Sequence, residues 1–280
     1  MSIRVVTDST SDLPAEVVAR YQIPVVPLYI NVGKQGYLDG IDITREEFYR
    51  KLPAFPVHPT TAVPSPQKFR AIYDALADEG ATDIISIHIS ESLSASVNVA
   101  RVAAQETTSA KVTVIDGHQL SMGTGFLVET AAKMAAAGQA LGEILGAIQS
   151  QIKRSHVFAA LDTLEFLRRS GRMNRFVANM GALLQIKPIL TMYDGKPGTE
   201  KVRTRERAMN RLVEMLEAVG PLERVAIVHT HAALERVQEL RRKAEHLLPK
   251  GDIPMEDITP VIGAHIGPSA IGFAVVGAKE

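Results

Sequence analysis

The chain has 280 residues, of which 46% are hydrophobic and 22% charged, enough apolar material to bury one large core or two ordinary ones. Lys plus Arg and Asp plus Glu both number 31, so no net field holds the whole protein on nucleic acid or on an anionic membrane, and any charge-based role is local. Cysteine is absent, which removes disulfides, thiolate nucleophiles and cysteine-ligated metal sites together. Ile3 to Thr7 reads as a strand that enters "DSTSDLPAEVV", where Asp12 close ahead of Pro14 is a candidate helix N-cap. The opening residues carry no basic segment followed by an apolar signal core, which predicts a cytoplasmic protein, and no apolar run is long enough to insert stably in a membrane. "IPVVPLYINV" is a second strand, and Thr44 with Glu47 has capping-box spacing ahead of "REEFYRKL". A proline-rich loop carrying Thr60 and Thr61 runs into a helix at Ser65-Pro66, with Phe69, Ile72, Tyr73 and Leu76 as its apolar stripe. "DIISIHIS" alternates Ile85, Ile87 and Ile89 with polar residues, which places Ser92 and Ser94 at a strand-to-helix turn.

After the strand "KVTVID" come two Ala-, Leu- and Met-rich helical stretches reaching about Lys153. "HVFAALD" then restarts a strand, so a boundary near Ser155 divides an N-terminal α/β domain, 1–155, from a C-terminal one, 156–280. "ALLQIKPILTMYDGK" reads as helix end, strand and turn, followed by a helix from about Arg205 to Val219, the strand "RVAIVHT" and an amphipathic helix through Leu234, Val237, Leu240, Ala244 and Leu247. The segment "VIGAHIGPSAIGF", with His265 among three glycines and a proline, reads as a loop before the last strand. Strands alternating with helices predict an α/β fold in both halves, with parallel pairing in the first and a ligand at the junction.

Common nucleotide, zinc-protease and hydrolase signatures are missing. "GTG" at Gly123 to Gly125 reads as helix packing, and His229 with His231 as a strand-end pair, not a metal site. Polar side chains on small or rigid backbone gather in "PTTAVPSP", "SESLSAS", "LEFLRRSGRMN" and "IGAHIGPSAIG". Each alone is an ordinary cap, turn or solvated arginine. Taken in order, they resemble the DegV family of bacterial fatty-acid-binding proteins along essentially the whole chain. The resemblance rests on "VVTDSTSDL", "TAVPSP" beginning at Thr61, "LSAS" at Leu93 to Ser96, "SGR" at Ser170 to Arg172, "IKPIL", "KVRTRERA" and "GAHIGPSA". Ala95, Ser170 and Ser269 stand where the family pattern has glycine, and Ser96 where it has threonine, so local backbone could differ at the glycine positions.

The resemblance implies a carrier and not an enzyme: two α/β domains enclosing one long-chain fatty acid such as palmitate, with no cofactor, its carboxylate presented to a separate fatty acid kinase that makes the acyl phosphate. It assigns Thr61 and Ser94 to the head group, and Arg172, Arg203 and His265 to the basic side of the site, with Arg205 close enough to compete with Arg203. The nine methionines and the stretch Phe176 to Gln185 are candidates for the tunnel wall. His265 is expected to matter more as pH falls toward its reference pKa of about 6.5. Two rival readings are a serine hydrolase using Ser94 or Ser269 with His265 as base, and nucleic-acid binding through "RRSGRMNR" and "KVRTRERAMNR". The first lacks a strained, glycine-flanked serine, and the second is opposed by zero net charge and 5% aromatic content.

Overall fold

β1 (Ile3–Asp8), α1 (Ala15–Tyr21) and β2 (Val25–Val26) open a computed structural model that describes residues 2–176 and 186–279. β3 (Tyr29–Val32), β4 (Gln35–Leu38), α2 (Arg45–Lys51), β5 (Thr60–Ala62) and α3 (Pro66–Asp78) follow, then β6 (Asp83–His88), α4 (Ser96–Glu106), β7 (Lys111–Asp116), α5 (Met122–Ala136) and α6 (Leu141–Ile152). The strands β2, β1, β6 and β7 lie side by side in that order, all parallel. α3 and α4 cover one face of this sheet through Phe69, Tyr73 and Ala100, and α5 and α6 cover the other through Leu127, Ile144 and Ile148. Both faces are therefore dry, and the polar residues that alternate along β6 lie under helices instead of in solvent. Ser86 and His88 are satisfied by one chain of hydrogen bonds: Tyr73 hydroxyl to Ser86 Oγ at 2.8 Å, Ser86 Oγ to His88 Nε2 at 2.7 Å, and His88 Nδ1 to Asp8 Oδ2 at 2.7 Å.

The apolar run expected as one strand between Ile23 and Val32 is two. Pro27 separates β2 from β3, and β3 joins a small antiparallel sheet of order β4-β3-β5. The proline-rich segment thus contributes a short strand, β5, that carries Thr61. Thr44 caps α2 as its spacing predicts, accepting from the Glu47 N–H at 3.1 Å. Asp12 is not a helix cap. Pro14 holds that position, and the Asp12 side chain is fully buried elsewhere.

From Ser155 the chain builds a second sheet from β8 (Ser155–Ala160), β9 (Lys187–Tyr193), β10 (Lys196–Val202), β11 (Leu222–His229), β12 (Met255–Asp257) and β13 (Ile271–Gly277). Its order is β10-β9-β8-β13-β11-β12, antiparallel throughout except for β11 with β12. α7 (Glu165–Arg169), α8 (Met173–Phe176), α9 (Arg205–Val219), α10 (Leu234–Ala244) and α11 (Pro260–Ile266) complete the fold. β10, too polar to be read from sequence, is paired to β9 by the two-residue turn Asp194-Gly195, both at positive φ. α9 and α10 pack on the face bearing Phe158, Ile189, Ile227 and Phe273. The opposite face carries smaller side chains at Val157, Ala159, Ala226, Val228 and Ala274.

The segment around His265, expected as a loop, is the helix α11. Thr259 is its N-cap and Pro260 its first residue. Gly263 is required by packing and not by a turn, because a Cβ there would overlap the Tyr49 hydroxyl. Val261 and Ala264 bury against Leu28, Ile30 and Phe48, and Ile262 and Ile266 point toward the six-stranded sheet. α11 is thus the wedge between the two halves. Gly123 of the "GTG" fragment is likewise a close-packing residue, since a Cβ would come within 2.7 Å of Val157. Of the stretch Phe176 to Gln185 considered for a tunnel wall, 177–185 lie outside the described residues.

Candidate functional site

A cavity of about 420 Å³ opens where β5, the turn before α4, the α7–α8 region and α11 converge. Its polar side is made by Thr61, Ser94, Arg172, Arg175 and His265, with Thr10 below them, and its remaining lining is apolar, including Leu28, Ile89, Val99, Leu167 and Phe176. Leu120, Phe176, Ile262 and Ile266 also border a narrower apolar lobe that continues against the small-residue face of the six-stranded sheet at Val157, Ala159, Leu190, Met192 and Val228. The cavity offers hydrogen-bond donors and positive charge, and the lobe, of about 30 Å³, is apolar in its lining apart from Ser121 and Thr191.

Each polar residue is placed by an element. Strand pairing holds Thr61 opposite Ile30, and its hydroxyl meets His265 Nε2 at 2.9 Å, a contact between residues 204 apart in sequence. Ser94 precedes α4, and its Oγ pairs with Ser96 Oγ at 2.9 Å. The α4 N-terminus has no side-chain N-cap and adds the positive end of its dipole to the same place. Arg172 donates to the Ser170 carbonyl at 2.9 Å and Arg175 to the Ser92 carbonyl at 2.6 Å. Neither guanidinium has a carboxylate partner among the described residues, and 177–185 contain no Asp or Glu.

Charge without counter-charge defines the electrostatics. Burial and then Arg175 hold Arg172 below the ordinary guanidinium value, and its Nε is buried without a partner. Burial, followed by Arg172, His58 and Arg175, pushes His265 down to about 3, and its Nδ1 is also unpartnered. The expectation that His265 gains a proton as pH approaches 6.5 is therefore corrected for this site: burial and two guanidiniums keep it neutral. With the Nε2–H donated to Thr61, the Thr61 hydroxyl proton is free to point at an anion, and the uncovered Nδ1 is a lone pair instead of an unmet N–H. Two arginines, two hydroxyls and a helix N-terminus around one pocket end suit a monoanionic or dianionic oxygen group.

Four of the five sequence-assigned residues, Thr61, Ser94, Arg172 and His265, border this cavity, and Arg203 does not. Arg203 is exposed between β10 and α9, and its neighbour Arg205 is tied to Asp162 by bonds of 3.0 and 2.9 Å. A second arginine that borders the cavity is Arg175, which sequence reasoning passed over; its spacing of one helical turn from Arg172 in "RMNR" was the available signal. The glycine replacements leave the backbone ordinary at two of three places. Ala95 has φ −81° and Ser170 φ −81°, with Gly171 at +71° supplying the left-handed residue of that turn; only Ser269, at +66°, takes a conformation better suited to glycine. A hydrolase arrangement is not assembled here. His265 pairs with Thr61 instead of Ser94, and Ser269 does not border the cavity. The array that does resemble a triad, Ser86–His88–Asp8, is wholly buried under α3.

The fold and cavity together define an α/β protein whose two halves enclose an amphiphile-shaped space, anion-receiving at one end and apolar at the other. The chain belongs to the DegV family: the model described as "Uncharacterised protein, DegV family" matches residues 2–278. A DegV domain-containing protein of Deinococcus radiodurans is 35% identical over 98% of both chains, and one of Listeria innocua 32% identical over 97% of both. Among solved structures, a DegV family protein from Thermus thermophilus described for its fatty acid binding superposes with a TM-score of 0.90 at 33% identity, covering 99% of this chain and 100% of that one. DegV of Bacillus subtilis, described as a fatty acid binding protein, gives 0.87 at 28% identity, again covering 99% and 100%. Among the described residues, no helix is long and apolar enough to cross a membrane.

Proposed function

We propose that the protein is a cytoplasmic carrier for one long-chain fatty acid such as palmitate, and that it presents the carboxylate to a separate fatty acid kinase for conversion to the acyl phosphate. The single observation behind this reading is the cavity whose polar end joins Thr61, Ser94, His265 and two arginines lacking carboxylate partners, continuous in lining with an apolar lobe against the second sheet. The related structures described as binding fatty acids support the ligand class. Burial of a methylene is worth about 0.8 kcal/mol, so a tail of about fifteen carbons supplies a gross drive on the order of 10 kcal/mol before the costs of association. Affinity thus comes from the tail, and neutral hydroxyl donors orient the carboxylate without locking it in place. Arg172 and Arg175 discriminate in favour of the product, whose phosphoryl group brings more charge and more acceptor oxygens. In this reading the domains are 1–155, which supplies Thr61 and Ser94, and 156–280, which supplies the tail's floor and α11.

Native mass spectrometry of freshly purified protein, with organic extraction, should reveal up to one equivalent of bound fatty acid. A clean unliganded mass in every preparation, with no uptake of added palmitate, would overturn the carrier reading. Arg172→Ala should keep bound fatty acid yet yield little acyl phosphate with a cognate kinase and ATP; turnover equal to wild type at matched occupancy would remove Arg172 from the transfer step.

A further inference from the structure

The segment leading into α11 is held, from outside the cavity, by four side chains of the N-terminal half. The buried Asp12 carboxylate accepts from the Thr259 backbone N–H at 2.8 Å and the Ser121 hydroxyl at 2.6 Å, with Arg45 Nη2 at 3.2 Å. Asp39 accepts from the Thr259 hydroxyl, Arg45 donates to the Asp257 carbonyl, and the Tyr49 hydroxyl donates to the Ile258 carbonyl at 2.8 Å. Asp12 holds φ at +51° and Ser121 at +50°, conformations that non-glycine residues keep only where the surroundings enforce them. The Asp12 side chain ties the turn after β1 to both the start of α5 and the N-cap of α11.

We propose that Asp12 is a positioning residue of the polar end of the cavity: by fixing the N-terminus of α11 it sets His265 against Thr61 and so aims the Thr61 hydroxyl at a ligand carboxylate. This rests on the carrier reading. α11 is a single short helix capped at Thr259 and carrying His265 in its last turn, so a shift at the cap moves the imidazole with it. Asp12 does not border the cavity; it reaches the polar end through α11, and its second hydrogen bond, from Ser121, ties it to the start of α5. An asparagine at position 12 has the same shape but only one acceptor oxygen: its amide N–H₂ faces either the Thr259 N–H, which cannot accept, or the Ser121 hydroxyl, which must reverse its direction to accept, and Arg45 loses its counter-charge in both cases.

The charges around Asp12 bear on the test. Arg45 faces it from α2 and is shared with Asp39, Glu256 and Asp257, while α5 and α11 present only hydrogen-bond donors. Burial outweighs Arg45 and raises Asp12 to about 7. The wild type therefore passes, on acidification through neutrality, into the uncharged form that Asp12→Asn adopts at every pH.

The readout is head-group selectivity, the ratio of dissociation constants for methyl palmitate and palmitate, measured with delipidated full-length protein. At pH 8, Asp12→Asn should lower this ratio about five- to tenfold, the scale of the one head-group hydrogen bond from Thr61, with methyl palmitate affinity held within about twofold. The wild-type ratio should fall toward the Asp12→Asn value between pH 8 and pH 6, and the variant's ratio should stay flat. A purely structural role would weaken both ligands together. Equal ratios in the two proteins at pH 8, or, should the variant not fold, a wild-type ratio independent of pH, overturns the assignment of Asp12 alone. Failure of the wild type to bind either ligand overturns the carrier reading instead.

Discussion

His265→Gln should flatten the acid limb of the protein's stability curve. Burial, Arg172, His58 and Arg175 push the imidazole down to about 3 in the folded state, against about 6.5 in the unfolded chain. Between those values the unfolded state binds a proton that the folded state does not, so stability falls as pH falls, by about 1.4 kcal/mol per unit. From pH 6.5 to 4.5 the residue removes roughly 2 kcal/mol from the wild type, because the unfolded imidazole is already half protonated at 6.5. Asp12 works in the opposite direction: its folded value of about 7 lies above the ordinary 3.8, so the folded state holds the extra proton and gains stability as pH falls through that window. The wild-type curve alone is therefore ambiguous, and the difference between wild type and His265→Gln isolates the imidazole. Urea unfolding of delipidated protein at half-unit steps from pH 7.5 to 4.5 measures it. Two curves separated by a constant offset over that range would refute the account of a buried, neutral His265 beside two guanidiniums.

Thr61→Ala and Ser94→Ala should each weaken palmitate binding by about 0.5–1.5 kcal/mol, since each removes one hydrogen bond and leaves the tail untouched, and the double variant should be weaker than either; calorimetric titration with wild-type affinity in the double variant would take both out of the site. Ala159→Phe should project into the apolar lobe against the second sheet and shift preference toward shorter chains, read by competition among saturated acids of ten to eighteen carbons, roughly one side chain's depth of lobe being lost. An unchanged preference would place the tail elsewhere.

What the sequence could reveal divides according to whether the cause is local. α9 begins at Arg205 and ends at Val219 as its pattern predicts, and Thr44 caps α2, because a helix stripe and a cap depend on neighbours in the chain. α11 was hidden because Gly263, Gly267 and Pro268 look like a loop, whereas Gly263 is there to let Tyr49 lie on the helix, a cause 214 positions away by residue number. Ser86 and His88 mimic a solvent-facing strand edge because their partners, Tyr73 and Asp8, come from other elements. The surroundings of Arg203, which the resemblance places on the basic side of the site and which lies away from this cavity, were hidden for the same reason. Its neighbourhood depended on β10, whose Lys, Pro, Gly and Glu residues pair only because the Asp194-Gly195 turn and β9 make them. The order of motifs carried Thr61, Ser94, Arg172 and His265 to one cavity, since such order reflects tertiary placement that propensity does not.

The contact between Thr61 and His265 also sets a schedule for biosynthesis. At roughly 5–20 residues per second, the 204 positions between them take a ribosome about 10–40 s to add. The parallel sheet and its four helices have all their residues long before α11 is made, so Leu28, Ile30 and Phe48 await the helix that will cover them. During that interval the emerging chain has an apolar patch but no finished pocket. On the carrier reading, capture of a fatty acid by this geometry waits for α11, and a translation product stopped short of it lacks both His265 and the helix that covers Leu28, Ile30 and Phe48.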